Sequence, residues 1–198
     1  MKISIIGAGN IGSTLGKKWA QASHQLWFGV RTPDDHKYND LHSIGQVCSV
    51  GEALAASEVV LLSLPGTAVA DFAYAYGSKL NGKIVIDATN NIQSPVLNNL
   101  ESLRNHTQDA HIIRAFSSLG WEIFENPTIN GTTIDLFYCC DATARTFADQ
   151  LISDVGLRPV YLGDLSTVEL VDNLTRVWLT LVYNQKRGRR LAIKLLEE

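Results

Sequence analysis

The chain has 198 residues, of which 45% are hydrophobic and 19% charged, with a net charge of −3. That length fits one domain, or one with a modest appendage, and can bury on the order of 70% of its unfolded surface. Mild acidity argues against a nucleic-acid surface, which carries a strong basic bias, and no apolar run reaches the roughly 18 residues of a membrane span.

The first strand is expected in Lys2-Ile3-Ser4-Ile5-Ile6, a short apolar run of the buried parallel type. A strand that begins at residue 2 leaves no room for a secretory signal. It runs into Gly7-Ala8-Gly9-Asn10-Ile11-Gly12, a Gly-x-Gly-x-x-Gly turn opening a helix. In a dinucleotide site Gly7 makes the tight turn, Gly9 admits a pyrophosphate to the backbone, and Gly12 brings helix and sheet together. The helix N-terminus then offers free N–H groups and partial positive charge to the phosphates. A plain βα turn is the simpler alternative. The helix continues with Ile11, Leu15 and Trp19 at helical spacing.

A second strand is expected from His24 to Val30, followed by a turn at Arg31-Thr32-Pro33. Sites that prefer NAD place a carboxylate at this junction to hold the adenosine ribose. Here it holds Val30 and Arg31, with Thr32 as a hydroxyl donor; Asp34 and Asp35 come later, in the first turn of a short helix. A guanidinium matches a 2′-phosphate in charge and geometry, so Arg31 points to NADP, unless it is a solvated loop cation.

Gln46 to Val50 reads as a third strand, Gly51 to Ala56 as a helix, and Glu58 to Leu64 as a buried strand ending at Pro65-Gly66. Ligands of open α/β sheets gather at the carboxyl ends of strands, so Ser63, Leu64 and Pro65 are candidate cofactor contacts; Leu64 and Pro65 could equally just pack. A helix through Val69, Phe72 and Ala73 precedes the strand Lys83 to Asp87. Asn90 and Asn91 follow as candidate donors, or simply as turn formers. Pro95 is expected to open a helix containing Val96, Leu97 and Leu100, and His111 to Ala115 to form a sixth strand. The alternation indicates an α/β fold with a doubly wound, mainly parallel sheet and helices on both faces. A further strand is expected within Gly131–Cys140, then a helix capped by Asp141 with Phe147, Leu151, Ile152 and Val155 on one side, and a short strand Pro159–Leu162. A helical C-terminal segment, residues 165–198, carries Leu170, Leu174, Val177, Trp178 and Leu181 as a stripe that Val171 and Val182 widen. So broad an apolar face suggests a subunit interface, hence a homodimer, or acceptor binding. Lys186, Arg187, Arg189 and Arg190 read as a solvated basic helix, or as a holder for an anionic substrate tail.

Cys48, Cys139 and Cys140 lack metal-like spacing, and neighbours on a strand point to opposite faces, so no disulfide joins Cys139 to Cys140. This is the cysteine usage of a reduced, soluble, cytoplasmic protein. No metal spacing, nucleophile elbow or acid–base dyad is visible, and the five histidines read as surface or capping residues.

Taken together, Gly7 to Gly12, Gly29-Val30-Arg31-Thr32, Asp87-Ala88-Thr89-Asn90-Asn91 and Arg114-Ala115-Phe116-Ser117-Ser118-Leu119-Gly120-Trp121 resemble the NADPH-dependent reductases of the deazaflavin coenzyme F-420. They are also similar to the cytosolic reductase domain of the STEAP metalloreductases. The resemblance implies a Rossmann-type fold as one NADP-binding domain over residues 1–198, with NADPH held through Gly9, Asn10, Ile11 and Arg31. It further implies a flavin or deazaflavin acceptor stacked against the nicotinamide. Val30 and Ser117 depart from the family, which commonly has serine and asparagine there. The expected function is hydride transfer between NADP(H) and that small-molecule acceptor, with no nucleic-acid or membrane partner. An NADP-binding sensor without turnover and a small imine or carbonyl reductase are the alternatives.

Overall fold

A computed structural model describes residues 1–198. In chain order the elements are β1 (Lys2–Ile6), α1 (Asn10–Gln21), β2 (Gln25–Val30), β3 (Gln46–Ser49), α2 (Val50–Ala56), β4 (Val59–Leu62), α3 (Val69–Tyr76) and β5 (Ile84–Asp87). There follow α4 (Leu100–His106), β6 (His111–Arg114), α5 (Trp121–Glu125), a two-residue hairpin pair β7 (Thr128–Ile129) and β8 (Thr132–Thr133), β9 (Asp135–Cys140), α6 (Arg145–Asp154), β10 (Arg158–Tyr161) and α7 (Val168–Leu179). The main sheet has eight strands in the order β10-β9-β6-β5-β4-β1-β2-β3. Every pairing in it is parallel except β6 with β9. The Rossmann-type α/β architecture with helices on both faces is therefore present.

Strand alternation divides the core in two. Ile3, Ile5, Val59, Leu61, Ile84, Ile86 and Ile113 face α1 and α6, where Leu15, Trp19, Leu151 and Ile152 close that side. Ile6, Val60, Leu62, Val85 and Ile112 point the other way, to Leu54, Val69, Phe72, Leu103 and Val171. Both faces of the central strands are covered, which is why these strands carry apolar residues on both faces rather than at every second position. Cys140 lies in the first cluster and Cys139 in the second, on opposite faces of β9. No helix is long and apolar enough to cross a membrane.

The structure departs from the sequence expectations at several points. Pro95 opens no helix: α4 starts only at Leu100, because the Asn98 and Asn99 amides are drawn to Asp172 and Asp87 (3.1 and 3.3 Å). Asp141 does not cap α6; its Oδ2 accepts from the Ile112 amide at 2.7 Å, tying the loop to β6. Phe147, placed on the buried stripe of that helix, is exposed, and Ala148 takes its place inside. The C-terminal helix is shorter than 165–198: α7 continues as a π-helical turn to Asn184, and residues 185–198 are irregular. Positive φ angles at Lys186 (52°) and Gly188 (80°) turn the chain out of the helix.

This irregular tail runs back over the sheet. Arg189 pairs with Glu122, and Arg190 donates to the carbonyls of Glu122 (3.0 Å) and Thr128 (2.9 Å). Arg189 and Arg190 are thus neither helical nor free. The Lys194 ammonium (2.6 Å) and the Leu195 amide (2.7 Å) both donate to Asp135, which Arg158 also holds at 2.7 and 2.8 Å. Burial alone would raise the Asp135 pKa, but these donors outweigh it and hold it at about 2.

Candidate functional site

The carboxyl ends of β1, β4, β5 and β6 lie side by side, and the loops that leave them are stitched together. Gly7, at φ 97°, turns the chain out of β1, and its amide donates to the Gly29 carbonyl of β2 at 3.2 Å. A Cβ on Gly12 would lie 2.1 Å from the Gly7 carbonyl oxygen, so only glycine lets α1 start this close to the turn. Ser63 reinforces the turn from β4, its hydroxyl donating to the Gly7 carbonyl at 2.6 Å. Gly66 presses on the next loop, where a Cβ would come within 2.4 Å of the Asn90–Asn91 peptide. Asn90 then donates from Nδ2 to the Ser117 carbonyl beyond β6 at 2.8 Å. The four loops form one continuous floor.

Gly9 is different from its neighbours. It is exposed, caps α1 from outside, and a Cβ there would meet no atom within 4 Å. Open space thus faces the free N–H groups of a twelve-residue helix whose first turn carries no acidic residue. Arg31 lies two residues past the Gly29 carbonyl that receives Gly7; it is exposed and takes part in none of the chain's ion pairs. Asn10 and Thr32 are exposed as well, and Ile11 is half-buried at the first turn.

The glycines make distinct expectations. Gly9→Ala should keep the thermal midpoint within a few degrees, since the new methyl meets nothing in the chain. It should weaken NADPH binding on the order of tenfold by entering the space over the helix terminus. Gly12→Ala must displace α1, costing about 1–3 kcal/mol of stability as well as binding. Thermal melts paired with NADPH titration separate the two; equal melting losses would contradict the open space at Gly9.

The remaining predicted residues divide by what their side chains already do. Ser63 is occupied in holding the glycine turn. Leu64 packs against that turn, 3.2 Å from where a Gly7 Cβ would be. Pro65 is exposed, and its carbonyl receives the Ala68 amide at 2.9 Å. Asn90 spends Oδ1 on Arg114 (2.8 Å) and one N–H on Ser117, which makes it chiefly a tether of the floor. Asn91 is half-buried and shapes its loop through its backbone.

Beneath this floor lies an ionic hub that the sequence reading missed. Arg114 is completely buried at the end of β6. Its Nε and Nη2 donate to Asp172 Oδ1 of α7 (3.1 and 2.8 Å), and its Nη1 to Asp87 Oδ2 of β5 (3.2 Å) and to the Thr89 carbonyl. Asp87 Oδ1 accepts the Thr89 amide at 3.0 Å, and Asp172 Oδ2 accepts Asn98 Nδ2 at 2.8 Å. The signal lay in two acidic residues on otherwise apolar faces, but their common partner is far away in sequence. Asp172 also explains why α7 buries Val171, Asp172, Thr175 and Trp178, leaving Leu170 and Val177, which the predicted stripe had placed together, about half exposed.

Other chemistry is poorly served. Burial raises the thiol pKa of Cys139 to about 11 and of Cys140 to about 12, so both stay protonated and unreactive. His24 does meet a carboxylate, Asp154, at 2.7 Å, with the N-terminal amine on its other nitrogen at 3.1 Å. This group sits at the amino ends of β1 and β2 and staples the terminus there. A recess of about 650 Å³, lined by Lys17, Gln21, His24 and Asp40 among others, also lies at that end, away from the glycine turn.

The sequence profile of the family described as NADP oxidoreductase, coenzyme F420-dependent, matches residues 2–91. Residues 2–91 are thus similar to that family. That stretch contains all twelve residues expected to hold the cofactor, from Gly7 to Asn91. The whole chain superposes on the crystal structure of a candidate F420-dependent NADP-reductase from Arthrobacter sp. FB24, with TM-score 0.84, 22% identity and 100% of both chains covered. A hypothetical protein from Sinorhizobium meliloti gives TM-score 0.72 at 24% identity, over 100% of this chain and 96% of that one. A reductive aminase from Aspergillus terreus, in complex with NADPH and ethyl-5-oxohexanoate, gives 0.62 at 19% identity, over 93% of this chain and 66% of that one. These likenesses establish a shared fold. Beyond residue 91 the F420-dependent oxidoreductase match ends, and Arg114, Ser117 and Asp172 lie outside it.

Proposed function

We propose that this chain is an NADP(H)-dependent oxidoreductase in which hydride passes between the nicotinamide and a flavin or deazaflavin ring, the whole chain working as one cofactor-binding unit. The observation that carries the reading is the open space at Gly9, above a helix terminus with no side-chain cap, together with an unpaired Arg31 two residues past the Gly29 carbonyl that receives Gly7. The residues present fit the cofactor. The Gly7–Gly12 turn and the first amides of α1 would hold the diphosphate, while Arg31 and Thr32 would hold the 2′-phosphate on the adenosine side. At the β1/β4 switch point, where the strand order reverses, the nicotinamide half would extend over Ser63, Pro65 and the Asn90 loop. NADPH supplies the hydride itself.

The protein's own work is alignment and exclusion of water. Direct transfer between two rings requires no side-chain acid or base, only donor and acceptor carbons about 3–3.5 Å apart. The tethered floor suits this demand, because Arg114, Asn90 and Ser63 tie the loops to one another through the chain's own hydrogen bonds. The family name of residues 2–91 supports a deazaflavin as the acceptor. The flavin alternative, a homodimer built on the exposed Leu170 and Val177 face, and a cytoplasmic setting without nucleic-acid partners are parts of the same proposal.

The test is to mix the protein with NADPH and, separately, coenzyme F-420, FMN, FAD and a cyclic imine, following nicotinamide absorbance. Oxidation with a deazaflavin or flavin is expected. Turnover of the imine alone would move the assignment to the imine-reductase class, and tight NADPH binding with no turnover would favour a sensor.

A further inference from the structure

Residues 117–125, which leave β6 and run into α5, reach the cofactor site at both ends. At one end the Ser117 carbonyl accepts Asn90 Nδ2 at 2.8 Å, joining the stretch to the floor. At the other, Trp121 and Glu125 of α5 share a recess with Asn10, Ser13 and Thr14, in the first turns of the helix that starts at the glycine turn. The stretch is therefore the rim of the site on the side of β6.

The irregular tail covers this rim from outside. Ile193 shares a narrow groove with Ser118 and Leu119. Gly120 is closed in, because a Cβ there would lie 3.3 Å from the Arg189 carbonyl oxygen, 3.1 Å from the Trp178 ring and 2.5 Å from Glu122 Oε2. Arg189 Nε meets Glu122 Oε1 at 2.5 Å, Arg190 donates to the Glu122 carbonyl at 3.0 Å, and Trp178 Nε1 donates to the Leu191 carbonyl at 3.2 Å. Arg189 is itself held: Nη1 donates to the Tyr183 hydroxyl at 2.7 Å, and the guanidinium lies 5.3 Å from the centre of the Trp178 ring. Farther on, Lys194 and Leu195 anchor the tail to Asp135 at the start of β9.

Two features give Arg189 its leverage. Glu122 has no other cationic partner, and its Oε2 is buried without a hydrogen bond. A carboxylate in that setting depends on the one guanidinium; without it the charge is poorly solvated, or the side chain swings out and disturbs the rim. The tail also has no helix or strand ladder of its own, so its side-chain bonds decide whether it stays down.

We propose that residues 189–195 form a strap that locks the rim of the cofactor site, with Arg189 as a positioning residue that acts on residues 117–125 through Glu122. The proposal rests on the NADP(H) reading above and goes beyond it by giving the C-terminal tail a part in holding the nicotinamide half. Arg31 follows β2, four strands from β6 in the sheet and thus roughly 19 Å across, so the adenosine half lies outside the strap's reach.

The experiment compares wild-type protein with Arg189→Met, Glu122→Gln and the double variant. It measures backbone hydrogen exchange, the thermal midpoint, and the Kd for NADPH and for 2′,5′-ADP, which keeps the adenosine half but has no nicotinamide. Arg189→Met is expected to speed exchange of the amides in 117–125 about threefold to tenfold, with β1 unchanged. It should weaken NADPH by a similar factor and leave 2′,5′-ADP within about twofold. The double variant should be little worse than either single one, because both remove the same contact. Unchanged exchange in 117–125 would overturn the strap, and losses that simply add would overturn the route through Glu122. A lowered midpoint with NADPH binding unchanged, or with equal losses for both ligands, would leave the tail a purely structural element and overturn the positioning role. If wild-type protein bound neither ligand, the NADP(H) reading would fall, and the exchange measurement would still decide whether the strap holds the rim.

Discussion

Arg114→Met should cost about 3–5 kcal/mol, because removing one partner of a buried ionic cluster leaves its other charges uncompensated. For a chain of this size that is a fall in thermal midpoint of about 10 °C or more. The reason is local. Arg114 is inaccessible to water, and without its guanidinium the carboxylates of Asp87 and Asp172 face a low-dielectric interior with only neutral donors. Asn90 would also lose its Arg114 contact, so the loop after β5 should loosen. Adding Asp87→Asn and Asp172→Asn to the methionine variant removes the stranded charges and should recover part of the loss. Denaturant melts of the single and triple variants decide the matter. A single-variant loss below about 1 kcal/mol would show that Arg114 is not the hub of this region.

The second large effect is expected at the cofactor. Arg31→Ala should raise the KM for NADPH by about tenfold to a hundredfold, the scale of a charge-assisted phosphate contact worth roughly 1.5–3 kcal/mol. NADH, with no 2′-phosphate, should change by no more than about twofold. Stability should hardly move, since Arg31 is exposed and bonds to nothing in the chain. The NADPH advantage should also shrink with added salt, as contacts between exposed charges do. Steady-state kinetics with both cofactors would measure this, and matching losses for the two would remove Arg31 from the phosphate site.

What the sequence disclosed and what it hid follow from the range of the forces involved. The turn at Gly7 and the β1–α1 junction were legible because they depend on neighbouring residues: Gly12 meets Gly7, five positions away. The continuous apolar strands were equally plain, since being covered on both faces removes the usual alternation. The errors fall where a distant partner overrides local preference. Pro95 looked like a helix start, yet Asn98 and Asn99 are bound to Asp172 and Asp87. Asp172 and Thr175, which the predicted apolar stripe of α7 did not include, face inward, one ion-paired to Arg114 and the other bonding back to the Val171 carbonyl at 3.1 Å. Arg189 looked solvated and instead pins the tail to Glu122. The assignment of Ser63 and Asn90 as ligand contacts came from their place at strand ends; that place was right, but their side chains chiefly hold the floor together.

The two borders of the sheet bear on how copies of the chain meet in concentrated solution. At one border β10 is four residues long, contains Pro159 with no N–H to offer, and has Arg158 turned to Asp135. At the other, β3 is equally brief and runs straight into α2. Neither border is a template for adding a foreign strand, so fibril-like stacking is disfavoured at both. Self-association at high concentration should instead be governed by the greasy outer side of α7, and changes at Leu170 and Val177, rather than at the strands, are the ones that should alter it.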